Sequence, residues 1–252
     1  MESLNGKIAL VTGGGAGIGR ATATTLAEAG AHVAVADLDT DAGQDTVVQI
    51  EEAGGTAHAF SVDVSDSDAV AALMDEVVDA LGPIDCACNI AGIAGPRALS
   101  ATYDEADWDR VMSINLRGVW LCMKHEINHM MERGGAIVNM ASVLGQVALH
   151  KAPARVAADH GVVGLTKAAA LDYAEHHIRV NAVCPSFVET DLQMDTGALI
   201  HPERRREIVE AHPMKRFAEA QEIANAVCWL CADEAAFVTG QTLTVDGGYT
   251  AQ

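Results

Sequence analysis

The residues with the clearest chemical potential form a glycine-rich turn that can hold a dinucleotide. Thr12–Gly19 reads TGGGAGIG and follows an apolar, strand-like run directly. Gly13 permits the tight turn, Gly17 lets the backbone approach a pyrophosphate, and Gly19, next to Ile18, allows close packing of a helix on the strand. The N-terminus of that helix supplies free N–H groups and a dipole that favours an anion. The segment therefore predicts a nucleotide site, with a flexible loop as the alternative.

Asp37 indicates which dinucleotide this turn would prefer. It ends the next strand-like run and has no adjoining arginine. A carboxylate at that point accepts hydrogen bonds from the adenosine ribose hydroxyls and repels a 2′-phosphate. The sequence therefore favours NAD(H) over NADP(H). The alternative is an aspartate that only caps the following turn at Asp39–Asp41.

Arg155 and Asp159 form a second pair with chemical potential, because they are four residues apart and face one side of a predicted helix. The guanidinium can bind a carboxylate or a developing oxyanion, and the carboxylate can serve as a base or hold a ribose. The alternative is that the two side chains only pair with each other. His150, on the preceding loop beside Lys151, is a candidate acid or base, since imidazole suits proton transfer at neutral pH. A solvated loop histidine is the alternative there.

These residues need a scaffold that brings separate segments together. Apolar β-type runs alternate with Ala-, Leu- and Glu-rich helical segments such as Arg20–Ala29 and Asp68–Leu81, which implies right-handed βαβ units. The predicted strands are Ile8–Val11, His32–Ala36, Thr56–Ser61, Ile84–Cys88, Ala136–Met140, Arg179–Val183 and Thr242–Val245. We therefore expect an α/β fold: one doubly wound Rossmann-type domain over residues 1–252, with a parallel sheet of about seven strands and helices on both faces.

Charge and hydropathy restrict the partners. The chain has 252 residues and a formal net charge of −19, which opposes binding to nucleic acid or to an anionic membrane surface. No apolar run approaches the roughly 20 residues that span a bilayer. The N-terminal residues lack the pattern of a signal peptide, so we expect a cytoplasmic protein with a small-molecule substrate.

Two patterns suggest metal or redox chemistry and have simpler explanations. Cys228 and Cys231 form a C-x-x-C pair, but within a helical run, where packing in the core is expected. His125–His129 reads HEINH, which matches the H-E-x-x-H pattern of zinc proteases without a third ligand at the known spacing. Solvated or interface residues explain it better, and we predict no metal site.

Further motifs follow the glycine-rich turn in a fixed order along the chain. They are Asp63-Val64, Asn89-Ile90-Ala91-Gly92, Asn115, Ser142, the loop from Pro185 through Val188 to Thr190, and Thr244–Gly248. Together they make the chain resemble the short-chain dehydrogenase/reductase family over essentially its whole length. The resemblance implies that Asp63 and Val64 contact the adenine. It also implies that Asn89, Gly92, Pro185, Val188 and Thr190 belong to the cofactor site, and that Asn115 and Ser142 are catalytic.

The same resemblance makes Arg155 and Asp159 unusual. The family has a tyrosine thirteen residues after the serine and a lysine four residues further on, and those positions here are Arg155 and Asp159. A guanidinium stabilises an oxyanion but is a very poor proton donor at neutral pH. The implied function is an NAD(H)-dependent oxidoreductase for a small polar alcohol or carbonyl, with a non-standard proton-delivery site. The alternatives are a non-redox enzyme, such as a lyase, hydratase or dehalogenase, and an inactive NAD-binding subunit.

The resemblance also gives expectations about the substrate and the assembly. Residues 190–217 match the family's variable, substrate-covering segment, which contains Arg204-Arg205-Arg206. These arginines and Arg97 either attract an anionic substrate or form a solvated surface. The family habit of assembling as tetramers implies a homo-oligomer.

Overall fold

A computed structural model describes residues 4–190 and 201–251 of the chain. Within this part, seven strands form a single sheet, in which every neighbouring pair is parallel. The strands are β1 Ile8–Thr12, β2 His32–Asp37, β3 Thr56–Ser61, β4 Cys86–Asn89, β5 Gly135–Met140, β6 Ile178–Pro185 and β7 Thr242–Val245. Their order, β3-β2-β1-β4-β5-β6-β7, reverses direction between β1 and β4, which is where such folds bind ligands.

Helices connect the strands and cover both faces of the sheet. They are α1 Gly17–Glu28, α2 Thr40–Glu52, α3 Ser67–Leu81, α4 Glu105–Met112, α5 Val119–Met130, α6 Pro153–Tyr173, α7 Pro202–Ala211 and α8 Ala220–Cys231. A π-helical turn, Ser113–Gly118, joins α4 to α5. The predicted doubly wound Rossmann-type fold is confirmed.

Two apolar cores hold the layers together, one on each face of the sheet. On one face, α3, α5 and α6 pack against residues such as Leu10 and Ile137. On the other, α1, α2 and α8 pack against residues such as Val11 and Val138. Because successive residues of a strand point to opposite faces, strands buried on both sides must be apolar throughout, as β1 is in IALVT.

Strand ends differ slightly from the sequence prediction. The fourth strand begins at Cys86 rather than Ile84. The Asp85 carboxylate accepts a hydrogen bond from the Ile8 N–H at 2.8 Å, so a side chain is the partner of that backbone group. The sixth strand extends to Pro185 because β7 pairs with it up to that residue. In the part of the chain that is described, no helix combines the length and apolar character needed to cross a membrane.

Candidate active site

A cleft of about 530 Å³ opens at the carboxyl ends of the strands, across the reversal point between β1 and β4. Its lining includes thirteen of the seventeen residues that the sequence assigns to the site. Those residues are Gly13, Gly17, Ile18, Gly19, Asp37, Asp63, Val64, Gly92, Ser142, Arg155, Pro185, Val188 and Thr190. Asn89, Asn115, His150 and Asp159 lie outside the lining. Segments from six strands therefore meet at one opening.

The glycine-rich turn is shaped by backbone sterics. Gly13 has φ +70°, and a Cβ on it would lie 2.7 Å from the Ala91 backbone. A Cβ on Gly19 would lie 1.9 Å from the Gly13 carbonyl oxygen. No side chain caps the N-terminus of α1, where Ala16 is the N-cap residue. The unpaired N–H groups of that first turn therefore face a cleft where a pyrophosphate would fit.

Asp37 stands at the end of β2 on the rim of this cleft. Its carboxylate accepts hydrogen bonds from the Gly15 N–H at 2.8 Å and the Asp39 N–H at 3.0 Å. The cap of α2 is supplied by Asp39, which accepts from the Ala42 N–H, so Asp37 is not the helix cap. The neighbouring cleft residue Leu38 is apolar and 71% exposed. The adjacent residues Asp37 and Leu38 therefore present a carboxylate and an apolar side chain to the rim.

Asp63 lies on the same side of the cleft, after β3. Its carboxylate accepts hydrogen bonds from the Ser65 hydroxyl at 2.7 Å and the Ser65 N–H at 2.9 Å. These bonds favour the ionised form and hold the pKa of Asp63 below its usual value. Asp63 is thus a fixed anionic acceptor beside Val64.

Arg155 and Asp159 are paired on the first turns of α6. Arg155 Nε donates to Asp159 Oδ2 at 2.7 Å, and Arg155 Nη1 donates to the Ile93 carbonyl oxygen at 3.0 Å. The Arg155 side chain is 21% exposed and lines the cleft, whereas Asp159 is 2% exposed behind it. Burial raises the pKa of Asp159, and the Arg155 guanidinium opposes that rise. The ion pair weighed in the sequence analysis is present, and its cationic end faces the cleft.

Ser142 and Asn115 fix the backbone around this pair. The Ser142 hydroxyl donates to the Pro185 carbonyl oxygen at 3.3 Å and accepts from the Leu144 N–H at 3.2 Å. Asn115 is buried in the π-helical turn and bonds both the N–H and the carbonyl of Ile93, at 2.9 and 2.8 Å. The Ile93 carbonyl therefore joins Asn115 to Arg155.

Two other predicted site residues lie away from the cleft surface. His150 is exposed, and its carbonyl oxygen accepts from Arg97 Nη2 at 2.7 Å. Asn89 is buried, and its Nδ2 donates to Glu126 Oε2 and Asn139 Oδ1, both at 3.0 Å. Asn89 thereby braces the end of β4, from which Ile90–Gly92 run along the cleft.

Comparison with known proteins identifies this architecture. A family model described as enoyl-(acyl carrier protein) reductase matches residues 13–250. A 2,5-dichloro-2,5-cyclohexadiene-1,4-diol dehydrogenase of Sphingobium indicum is 43% identical over 100% of both chains. The chain belongs to the short-chain dehydrogenase/reductase family.

Other members of the short-chain dehydrogenase/reductase family are similarly close. A cis-4-hydroxycyclohexanecarboxylate dehydrogenase of Sinomonas cyclohexanicum is 42% identical and covers 99% of each chain. The crystal structure of a levodione reductase has a TM-score of 0.95 at 34% identity and covers 98% of this chain and 99% of that one. A structure assigned as a 2-deoxy-D-gluconate 3-dehydrogenase of Agrobacterium tumefaciens, with bound NADP, has a TM-score of 0.92 at 36% identity, covering 100% of this chain and 99% of that one.

Two polar clusters of this short-chain dehydrogenase/reductase are not predicted by its sequence motifs. Ser186, which lines the cleft, is hydrogen-bonded to the buried His212 at 2.9 Å. Ser186 was visible as a serine after Pro185, but nothing in the spacing points to a histidine 26 residues later. Glu126 is 0% exposed, so its interpretation as solvated or interfacial is wrong. The apolar residues that flank it at helical spacing were the available signal.

Glu126 is unusual because it is a carboxyl group inside an apolar core. Burial raises its pKa to about 8, against which the Asn89 hydrogen bond acts. Its Oε1 and the Asn89 Oδ1 are both buried, and neither has a hydrogen-bond partner among the residues that the structure describes. His129, four residues from His125, lies 3.8 Å from Asp75 on α3. Among the described residues, no group of three or more His, Cys, Asp or Glu side chains is placed to hold a metal ion.

The cysteines of the C-x-x-C pattern belong to the interior, as the sequence predicts. Cys231 is buried, and its Sγ lies 3.6 Å from Cys88 Sγ, while Cys228 is half-buried. Both are free thiols. Burial raises the pKa of Cys228 to about 11, which opposes the thiolate form that redox chemistry needs.

Proposed function

We propose that this chain is an NAD(H)-dependent oxidoreductase that interconverts a small cyclic alcohol and its carbonyl compound, with a proton-delivery site that lacks the family's tyrosine and lysine. The observation that carries the proposal is the single cleft that joins the glycine-rich turn and Asp37 to Ser142 and Arg155. A nicotinamide cofactor bound there would accept or supply the hydride. The chain's own residues must position the substrate and handle the proton.

The preference for NAD(H) rests on charge at the rim. Asp37 and Asp63 are both carboxylates on the cleft wall, and the residue after Asp37 is the apolar Leu38. A 2′-phosphate would need a cation in this place, and a carboxylate repels it. The related 2-deoxy-D-gluconate 3-dehydrogenase structure holds NADP, so cofactor choice varies among relatives and depends on local residues such as Asp37.

A cyclic substrate agrees with the names of the relatives and with the lining of the reaction side. Ile93, Ala94, Val143 and Leu149 give that side apolar walls. The two curated relatives reported above are named for a cyclohexadiene diol and a hydroxycyclohexanecarboxylate. Arg155 and Arg97 also line the cleft, and they favour a substrate with an anionic substituent, such as a carboxylate.

Arg155 and Asp159 occupy the positions at which the family uses its tyrosine and lysine. In the described part of the chain, Arg155 Nε and Nη1 have protein partners and Nη2 has none. Nη2 is therefore available to a ligand oxygen in the cleft. A guanidinium stabilises a developing alkoxide without giving up a proton, so the acid or base must be another group.

A second candidate function is an NAD-binding subunit without catalysis. The 2.7 Å pair between Arg155 and Asp159 favours it, since each charge is partly neutralised by the other. A non-redox enzyme on this scaffold, such as a lyase, hydratase or dehalogenase, stays a further alternative, with Arg155 as the anion-binding group.

A homotetramer in the cytoplasm is also part of the proposal. Large apolar side chains are exposed on adjacent helices: Trp120 on α5 is 44% exposed and Leu171 on α6 is 82% exposed. Exposed apolar residues of this size favour contact with another subunit. Sedimentation at micromolar concentration tests the assembly directly, and a monomer would contradict it.

The first test is a titration of the purified protein with NADH and, in parallel, with NADPH, followed by nicotinamide fluorescence. We expect micromolar affinity for NADH and weaker affinity for NADPH. The second arm mixes the protein with NAD⁺ and a panel that includes cyclohexanol and 4-hydroxycyclohexanecarboxylate, and records absorbance of NADH. Binding without any turnover would support the non-catalytic subunit, and failure to bind either dinucleotide would contradict both functions.

A further inference from the structure

A buried histidine stands directly behind a serine of the cleft wall. Ser186 follows β6, and His212 ends α7 with 1% of its surface exposed. Ser186 Oγ lies 2.9 Å from His212 Nε2, and His212 Nδ1 lies 2.6 Å from the Ile208 carbonyl oxygen. These two contacts place the imidazole between a fixed backbone acceptor and a hydroxyl.

The hydrogen-bond partners determine which ring nitrogen carries the proton. A carbonyl oxygen only accepts, so the Ile208 contact requires a hydrogen on Nδ1 of His212. In the neutral ring, Nε2 is then an acceptor, and the Ser186 hydroxyl donates to it. A hydroxyl, a base and a group that orients the base are the three parts that activate a serine in enzymes.

Ser186 borders two cavities. It lines the main cleft together with Ser142 and Arg155, and it also lines a second, smaller cavity of about 100 Å³ that His212 borders. The Ser142 hydroxyl donates to the carbonyl of Pro185, the residue before Ser186, at 3.3 Å. Ser186 is therefore the connection between the cleft and the buried imidazole.

Aromatic rings and a carboxylate surround the His212 ring. The Tyr249 ring lies 5.0 Å and the Phe187 ring 6.0 Å from its ring, so both shield it from the cleft. Asp246 lines the same small cavity as His212. Arg216 and Glu222 border the smaller cavity and pair with each other at 2.6 Å, so neither presents an isolated charge.

We propose that Ser186 and His212 are the proton relay that replaces the missing tyrosine, an inference that rests on the proposed function. In alcohol oxidation, the substrate carbon loses a hydride to the oxidised nicotinamide as its C–O bond becomes C=O. The hydroxyl proton passes to Ser186 Oγ while the Ser186 proton passes to His212 Nε2. In carbonyl reduction the same protons move in the opposite direction. Ser186 is the catalytic residue, and His212 acts through it.

The test compares five variants in cyclohexanol oxidation by NAD⁺ as a function of pH, one of which, His150→Gln, alters the candidate histidine of the loop before α6. Ser186→Ala removes the hydroxyl, and Ser186→Thr retains it. His212→Asn keeps an N–H donor for the Ile208 carbonyl and lacks the Nε2 acceptor. His58→Gln, which alters an exposed histidine on β3, is the matched control.

We expect Ser186→Ala and His212→Asn each to lower kcat by about 10²–10⁴-fold. Ser186→Thr should stay within about tenfold of the unmodified protein, as His58→Gln should. Imidazoles change charge between about pH 5 and 8, so a limb of the pH–rate profile in that range should disappear in both His212→Asn and Ser186→Ala and persist in Ser186→Thr. The Kd for NADH should not change, and in ¹⁵N-histidine-labelled protein the His212 Nε2 resonance should move in Ser186→Ala.

The outcomes separate this inference from the proposed function. Turnover by the unmodified protein with unchanged kcat and pH limb in Ser186→Ala and His212→Asn would overturn the relay and leave the oxidoreductase standing. Loss of the limb in His150→Gln instead would give the role to the loop histidine and likewise overturn it. If the unmodified protein binds NADH and transfers no hydride to any substrate, the oxidoreductase fails and the relay fails with it.

Discussion

The two ends of the cleft are built by different means. At the cofactor end, backbone geometry is decisive: Gly13 and Gly19 leave no room for a Cβ, and α1 begins without a side-chain cap. At the reaction end, side chains from distant segments converge: Arg155 from α6, Ser142 after β5, and Ser186 after β6. The first end tolerates few residue types, whereas the second can exchange its chemistry while the fold persists. Under the proposed function, this difference accounts for a reaction site without the family's tyrosine and lysine in the same cleft as the glycine-rich nucleotide site.

The largest expected effect comes from restoring the family's residues at the reaction end. The double replacement Arg155→Tyr and Asp159→Lys adds a phenol as proton donor and an ammonium beside it. In the Ser186→Ala background, which lacks the proposed relay, we expect reduction of cyclohexanone by NADH to rise by about 10²–10⁴-fold, the usual contribution of general acid catalysis. Arg155→Tyr alone is the control and should gain less. No gain in the double variant would mean that the two ends of the cleft differ in more than these two residues.

The second effect concerns the stability of the reaction end. Arg155→Ala leaves the Asp159 carboxylate, which is 2% exposed, without its cationic partner. Such a truncation costs about 3–5 kcal/mol of unfolding free energy, while replacing both partners with apolar residues is often neutral. Urea unfolding at pH 7 should therefore show a large loss for Arg155→Ala and a small one for the matched double variant Arg155→Ala with Asp159→Ala. Equal losses of unfolding free energy in the single and double variants would show that the loss comes from the packing of Arg155 and not from leaving a charge buried without a partner.

The third effect is a pH dependence of stability at Glu126, under the end of β4. Its folded-state pKa of about 8 exceeds the ordinary value of 4.5, so the folded protein holds this proton more tightly than the unfolded chain does. The stabilising contribution is therefore complete below pH 4.5 and is lost as the pH rises to 8. The loss amounts to about 1.4 kcal/mol per pH unit within that window.

Glu126→Gln should remove this dependence. At pH 7 we expect the free energy of unfolding of the variant to exceed that of the unmodified protein by about 3 kcal/mol. At pH 4 the difference should vanish. Chemical denaturation across this pH range measures it, and Glu132→Gln, at an exposed position of the same segment, is the control. If the free energy of unfolding depends on pH in the same way for Glu126→Gln and the unmodified protein, the Glu126 carboxyl is ionised in the folded state and the prediction is wrong.

The features that the sequence predicts are those that depend on residues close together along the chain. The strand–helix alternation and the glycine-rich turn are local patterns, so the fold, the turn and Asp37 at the end of β2 could be predicted. Arg155 and Asp159 are four residues apart on a helix, and their pairing could be anticipated for the same reason. The Ser186–His212 contact joins residues after β6 and at the end of α7, and no local pattern links them.

The burial of Glu126 is the other feature that the sequence does not predict. Glu126 lies between two histidines of the HEINH segment, which made that helix face look polar. In the fold, Glu126 and Ile127 are both buried, whereas the two histidines are only partly so, and Asn89 donates to Glu126 from β4. Its partner is 37 residues away in sequence and on another element, so the interaction depends on tertiary structure alone.

The smallest expected effect tests the cofactor end, where a single charge is at issue. Asp37→Asn keeps the size of the side chain and removes the negative charge from the rim. Two charges about 4 Å apart in a partly solvated site interact by roughly 1–4 kcal/mol, and the exposure of this rim favours the lower value. We therefore expect the ratio of the NADPH dissociation constant to the NADH dissociation constant to fall by about tenfold, a change of about 1.4 kcal/mol.

Asp39→Asn is the matched control, because its carboxylate caps α2 and lies outside the cleft lining. If this ratio of dissociation constants changes equally in Asp37→Asn and Asp39→Asn, the preference for NADH would come from the overall negative charge of the segment. Asp37 would then not be its specific cause. A shift confined to Asp37→Asn would place cofactor selection in one side chain, which would make the cofactor end, like the reaction end, alterable without a change of fold.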